Sequence, residues 1–174
     1  YFWVVAALIL VQMGMGVIAA HYGVEGNGFY GLPFATILPY SVVRTWHVQM
    51  GLFWIATFWL GAGLYIAPAV AGYEPKWQRF GVNVLFVALL IVVAGSMVGQ
   101  WLSIKQMLPD SLWFWFGHSG YEYIDLGRAW QIALLIGLLL WLGLMTRGIV
   151  PALKQGGEQR PILTLLLVAT IAIA

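Results

Sequence analysis

The chain is a series of long apolar runs separated by short stretches that hold most of its polar residues. A helix crossing a bilayer needs about 20 consecutive apolar residues. Five segments meet or approach that length: 1–20, 42–70, 80–104, 126–145, and a fifth, 161–174, that reaches the last residue. No period-two alternation of the kind that lines a β-barrel is present, and no internal repeat is evident. The pattern predicts an all-α fold, a polytopic transmembrane helical bundle forming one membrane region over 1–174 with no soluble domain. Tyr1 and Ala174 both fall inside apolar runs, so the chain reads as part of a larger core.

Composition sharpens this reading. Of the 174 residues, 62% are hydrophobic and 8% charged, against about 25% charged in soluble domains, and mean hydropathy is +0.89. A net charge of +2 without any basic run gives no footprint for nucleic acid. The absence of cysteine excludes disulfides, thiolate nucleophiles and thiolate metal sites. Ten Trp, eight Tyr and nine Phe suit interfacial aromatic belts and a buried planar cofactor.

Lys and Arg set orientation. Lys76, Arg79, Arg147, Lys154 and Arg160 face Glu74 and Glu158 on one side, a net of +3. Arg44, Lys105 and Arg128 face Glu25, Asp110, Glu122 and Asp125 on the other, a net of −1. The first side is expected to be cytoplasmic, in the inner membrane of a bacterium or archaeon.

Arg44-Thr45-Trp46-His47 opens the second apolar run. An ionisable side chain inside such a run is costly and marks function by default. His47 sits about one turn inside. A neutral imidazole there can ligate haem iron or hydrogen-bond a neighbouring helix. Arg44, three residues earlier, shares its face and lies nearer water, where haem propionates would reach. The first run carries Gln12 and Gly14-Met15-Gly16, whose glycines read as close-packing positions. In the third run, Gly95 to Gly99 is a GxxxG step of the same kind, beside Ser96 and Gln100.

Two external loops carry the remaining chemistry. In the stretch 21–41, glycines and prolines exclude one regular helix. His21 and Glu25 share a face if the first helix extends through them. Such a pair can accept protons from a lipid quinol, with Tyr22, Phe29 and Tyr30 as an apolar wall, or form a loop ion pair. In the second loop, Trp113-Phe114-Trp115-Phe116 reads as an interfacial element. Glu122 and Asp125, three apart, suit a hard cation such as calcium or capping of the fourth helix. His118 receives no role.

These stretches resemble the catalytic subunit of respiratory nitric oxide reductase, a relative of the haem-copper oxidases, and the resemblance covers essentially the whole chain. It rests on Leu38-Pro39-Tyr40-Ser41-Val42-Val43-Arg44-Thr45-Trp46-His47, on the Gly61-to-Pro68 segment, and on Gly120-Tyr121-Glu122-Tyr123-Ile124-Asp125-Leu126-Gly127-Arg128. The stretch His21-Tyr22-Gly23-Val24-Glu25 is similar to the single-chain, quinol-oxidising form. That family reduces two NO to N₂O and water at a high-spin haem b beside a non-haem iron, with electrons arriving through a low-spin haem b. The resemblance implies that His47 is an axial ligand of the low-spin haem and that Arg44 lies near its propionates. It implies further that Glu122 ligates calcium, with Asp125 as the second acid of that motif, and that His21 and Glu25 bind the quinol head group. The three histidines of this chain do not supply the three His and one Glu of the non-haem iron, nor the two further haem ligands. The implied placement is therefore the N-terminal part of a core whose remainder carries the binuclear centre.

Two other classes stay open. One is a different membrane b-type cytochrome, such as a quinol-oxidising haem-copper oxidase. The other is a cofactor-free transporter or scaffold, for which broken helices in inverted repeats would speak.

Overall fold

The computed structural model describes residues 1–117 and 126–174, without the side chains of Phe29 and Tyr30. The described residues are helical throughout their ordered elements, with no strand. In order they are α1 (Phe2–Glu25), a 3₁₀ turn (Gly26–Gly31), α2 (Phe34–Ile37), α3 (Tyr40–Ala71), α4 (Gln78–Ile104), α5 (Asp110–Phe116), α6 (Arg128–Gln155) and α7 (Arg160–Ile173). α1, α3, α4 and α6 are each long and apolar enough to cross a bilayer. α7 is a shorter apolar helix.

Prolines and one glycine punctuate the helices. Pro39 and Pro109 precede α3 and α5, and Pro161 opens α7, where a missing N–H costs nothing because the first turn has no internal acceptor for it. α3 stops at Gly72, whose φ of 63° closes a left-handed cap with its N–H on the Pro68 carbonyl. Only glycine adopts that conformation without strain.

Two helices outrun their apolar segments. α1 continues past position 20 to Glu25, and α6 continues past 145 to Gln155. Thr146, Arg147 and Lys154 end the hydrocarbon segment of α6 without breaking its backbone ladder. A change of solvent alone does not terminate a helix.

α3 is the hub, packing against α1, α4, α6 and α7. Two cores fill the interior. At the end that carries the α3–α4 loop, Leu60, Leu85, Trp141, Met145, Ile149 and Leu163 join α3, α4, α6 and α7. Toward the other end, Leu8, Met50, Phe53, Leu89 and Val93 join α1, α3 and α4, with Leu126, just before α6, packed among them. Indole N–H groups stitch helices together: Trp141 Nε1 donates to the Leu60 carbonyl at 3.2 Å and Trp46 Nε1 to the Met97 carbonyl at 3.2 Å. At the C-terminal end of α4, Lys105 Nζ and Trp101 Nε1 donate to the Thr36 and Ile37 carbonyls at 2.6 and 2.7 Å. They pin the α1–α3 connection over α4.

The aromatic run forms α5, whose residues Leu112, Phe114, Trp115 and Phe116 are exposed. It docks through its C-terminal carbonyls. A Cβ at Gly99 would collide with the Phe116 carbonyl oxygen, and one at Gly95 with the Trp130 ring. Trp130 Nε1 donates to that same Phe116 carbonyl at 2.9 Å. The GxxxG step is thus a seat for α5 and α6.

Candidate functional site

α1 and α3 run antiparallel, and each places a glycine where the other places a polar side chain. A Cβ on Gly51 would stand 2.7 Å from Gln12 Nε2, and a Cβ on Gly16 would stand 2.9 Å from His47 Cε1. His47 lies about 10 Å below the start of α3, at 1.5 Å per residue. Its Nδ1 is 2.9 Å from the Gln12 main-chain oxygen. A carbonyl only accepts, so this bond fixes the N–H on Nδ1 and leaves the lone pair on Nε2. Gln12 Oε1 in turn accepts from Trp54 Nε1 at 2.7 Å. This helix hairpin holds one imidazole in one tautomer, at half-burial, with Nε2 left unprotonated on the side away from its anchor.

That donor set fits haem iron, which takes a neutral imidazole nitrogen whose ring is oriented by a hydrogen bond at the other nitrogen. Arg44 is exposed three residues up the same helix. Among the described residues it makes no ion pair. Gly14, also expected to pack, meets nothing within 4 Å. It lies two positions from Gly16, which turns it away from α3.

Sequence reasoning passed over the roles of Gln12 and Trp54. The signal lay in matched spacing: Gln12 to Gly16 and His47 to Gly51 are both four-residue steps, one helical turn, which interlock only when antiparallel. It also passed over Gln49 and Thr57, both fully buried on α3. The Thr57 hydroxyl has no hydrogen-bond partner among the described residues. Ser96, Gln100 and Ser103 of α4 are likewise buried, at the level where Trp46 reaches Met97. Buried polar side chains are therefore spread along the membrane-spanning parts of α3 and α4.

The second pair lies at the C-terminal end of α1. His21 Nδ1 is 2.9 Å from Glu25 Oε1, with side-chain exposures of 30% and 25%. Relative to Gly16, His21 is five residues on, about 7.5 Å along the axis and roughly 140° round it. The pair thus occupies the side of α1 turned away from α3. Tyr22 is not an open wall beside it. It is buried, donates to the Leu38 carbonyl at 2.6 Å and meets Tyr40 edge-on at 5.9 Å. Its hydroxyl is spent on the α1–α3 connection. The Phe29 and Tyr30 side chains lie outside the described parts.

Glu122, Asp125 and His118 lie outside the described residues. Beyond them, Gly127 is the N-cap of α6 and offers no capping side chain. Arg128 stands over the Phe114 ring at 5.5 Å and donates to Gln131 Oε1 at 2.6 Å.

The family model that describes cytochrome c and quinol oxidase polypeptide I matches residues 1–174. The chain belongs to that family. No curated protein sequence matches it. Membership in the oxidase polypeptide I family makes this a haem-copper oxidase-like integral membrane subunit of an oxidoreductase. It removes the cofactor-free transporter from the readings above. Family proteins bind haem, and among the described residues the imidazole of His47 has a tautomer and a pocket that fit iron.

Proposed function

We propose that the chain is the N-terminal part of the membrane core of a quinol-dependent nitric oxide reductase in the inner membrane of a bacterium or archaeon. His47 is an axial ligand of a low-spin haem b, and Arg44 accompanies its propionates. His21 and Glu25 receive the quinol head group, and Glu122, with Asp125 near it, holds calcium. The high-spin haem b and the non-haem iron belong to ligands elsewhere in the core.

The observation that carries the reading is the His21–Glu25 contact at the outer end of α1. Quinol oxidation releases two electrons and two protons. The latter need acceptors at the head group. With His21 Nδ1–H directed at the carboxylate, the imidazole's other nitrogen becomes the basic site. Glu25 stabilises the imidazolium that forms when a hydroxyl proton is taken up. The outer end of α1 lets protons leave without crossing the membrane. Bound haem would supply one-electron transfer. The two electrons and two protons balance the reduction of two NO to N₂O and one water.

A quinol-oxidising oxidase that reduces O₂ is the second reading, favoured by the family description itself. Two measurements on the intact protein test the proposal. NO consumption and O₂ consumption with a quinol donor distinguish the acceptors, with NO turnover expected. His21→Ala and Glu25→Ala should depress quinol-driven turnover steeply and leave turnover with an artificial donor near normal. Equal losses with both donors would assign the pair to the fold and overturn its role at the quinol.

A further inference from the structure

At the opposite end of the bundle, the loop after α3 and the projecting end of α6 enclose an open cleft of about 540 Å³. Its polar lining is Tyr73, Lys76, Thr146 and Arg147, and its walls include Pro75 and Pro151. Arg147 Nη2 donates to the Lys76 main-chain oxygen at 2.7 Å, which brings the two cations to one rim. Among the described residues neither is ion-paired with a carboxylate. Glu74, two residues from Lys76, is not part of the lining. The Thr146 hydroxyl proton is already committed to its own helix, at the Leu142 and Gly143 carbonyls. The cleft's donors are therefore the Lys76 ammonium, the remaining guanidinium N–H groups of Arg147 and the Tyr73 hydroxyl. Donors of this kind, with two positive charges, select a phosphate group.

Depth decides where that phosphate comes from. Gln78, the first residue of α4, donates from its buried amide to the Leu144 carbonyl at 3.0 Å. Arg147 is one turn further out along α6. Trp77 and Phe80 lie beside the loop, largely exposed, with rings edge to face at 6.5 Å. Trp77 holds a φ of 64° at the start of α4, which a non-glycine residue adopts at a cost. Exposed aromatics of this kind sit at head-group level. Basic clefts between helices on the inner face suit anionic lipid head groups.

The geometry points to a binding site for the phosphodiester head group of an anionic phospholipid of the inner leaflet, held by Lys76, Arg147 and Tyr73. It is independent of the NO-reductase reading.

The test uses the intact protein in detergent, titrated with short-chain phosphatidylglycerol, short-chain phosphatidylcholine or inorganic phosphate and followed by native mass spectrometry and thermal shift. Phosphatidylglycerol should bind more tightly than the other two. Each cation removed should weaken it about fivefold. Lys76→Gln is the main variant because that side chain is exposed and its main-chain oxygen is retained. Lys76→Arg should restore binding, and Lys154→Gln, outside the cleft, should leave it unchanged. Equal affinity for phosphatidylcholine, equal affinity for free phosphate, or an unchanged Lys76→Gln variant would each overturn the assignment. So would cross-linking of Lys76 to an acidic polypeptide in place of lipid.

Discussion

His47 Nδ1 and the main-chain oxygen of Gln12 stand 2.9 Å apart across the α1–α3 interface. Because the acceptor is backbone, no side-chain substitution at position 12 deletes it. The Gln12 side chain serves Trp54 instead. The two functions of one residue can therefore be separated by mutation.

Gln12→Leu should strand the Trp54 indole N–H at a partly buried site and cost on the order of 1–3 kcal/mol in stability, while the haem spectrum of the intact protein is preserved. Thermal unfolding and absorption spectra on the same sample check both halves. Loss of the haem signal with unchanged stability would contradict the division.

His47→Ala should remove the low-spin haem b signal from the intact protein, read by absorption and pyridine haemochrome analysis. An unaltered low-spin spectrum would place the ligand elsewhere.

Gly16→Ala tests the pocket behind the ring. The new Cβ would stand 2.9 Å from His47 Cε1, closer than van der Waals contact allows, so the imidazole must move. Overpacking of this kind costs roughly 1–3 kcal/mol. We expect a shifted haem midpoint potential or partial haem loss. Gly14→Ala, which meets open space, is the control and should leave the haem as in the wild type.

Glu122→Ala should lower the calcium content of the purified protein and disturb haem incorporation. Full calcium occupancy in this variant would favour a capping role at the start of α6.

Reporter tags after Gly72 and Gly156 should both report from the cytoplasm. The Arg147 bond to the Lys76 carbonyl ties the α3–α4 loop to the inner end of α6. Tags on opposite sides of the membrane would break the topology.

The helical membrane character is legible in the chain because hydrocarbon thickness imposes run length, and run length survives without tertiary information. The His21–Glu25 contact is legible for a related reason: a four-residue step on one helix is local geometry. The His47 hairpin is only half legible. An intramembrane histidine announces itself, but its acceptor is a backbone carbonyl, and every residue has one. Only the docking of α1 on α3 selects that of Gln12. The seat of α5 is hidden for the same reason, since Gly95 and Gly99 gain their meaning from Phe116 and Trp130 on other elements. The inner cleft escapes a sequence reading because Lys76 and Arg147 are 71 residues apart and belong to different loops on paper.

The interlocking of α1 and α3 also bears on biogenesis. The anchor of the His47 ring, the glycine behind it and the indole beside it all come from residues 12–54, a single helical hairpin of contiguous chain. Such a hairpin can assemble as soon as its two helices have left the ribosome and entered the bilayer. The contact that sets the tautomer of the imidazole needs nothing from α4, α6 or α7. On the haem reading, cofactor loading would meet a ligand already aimed by α1 and α3 alone.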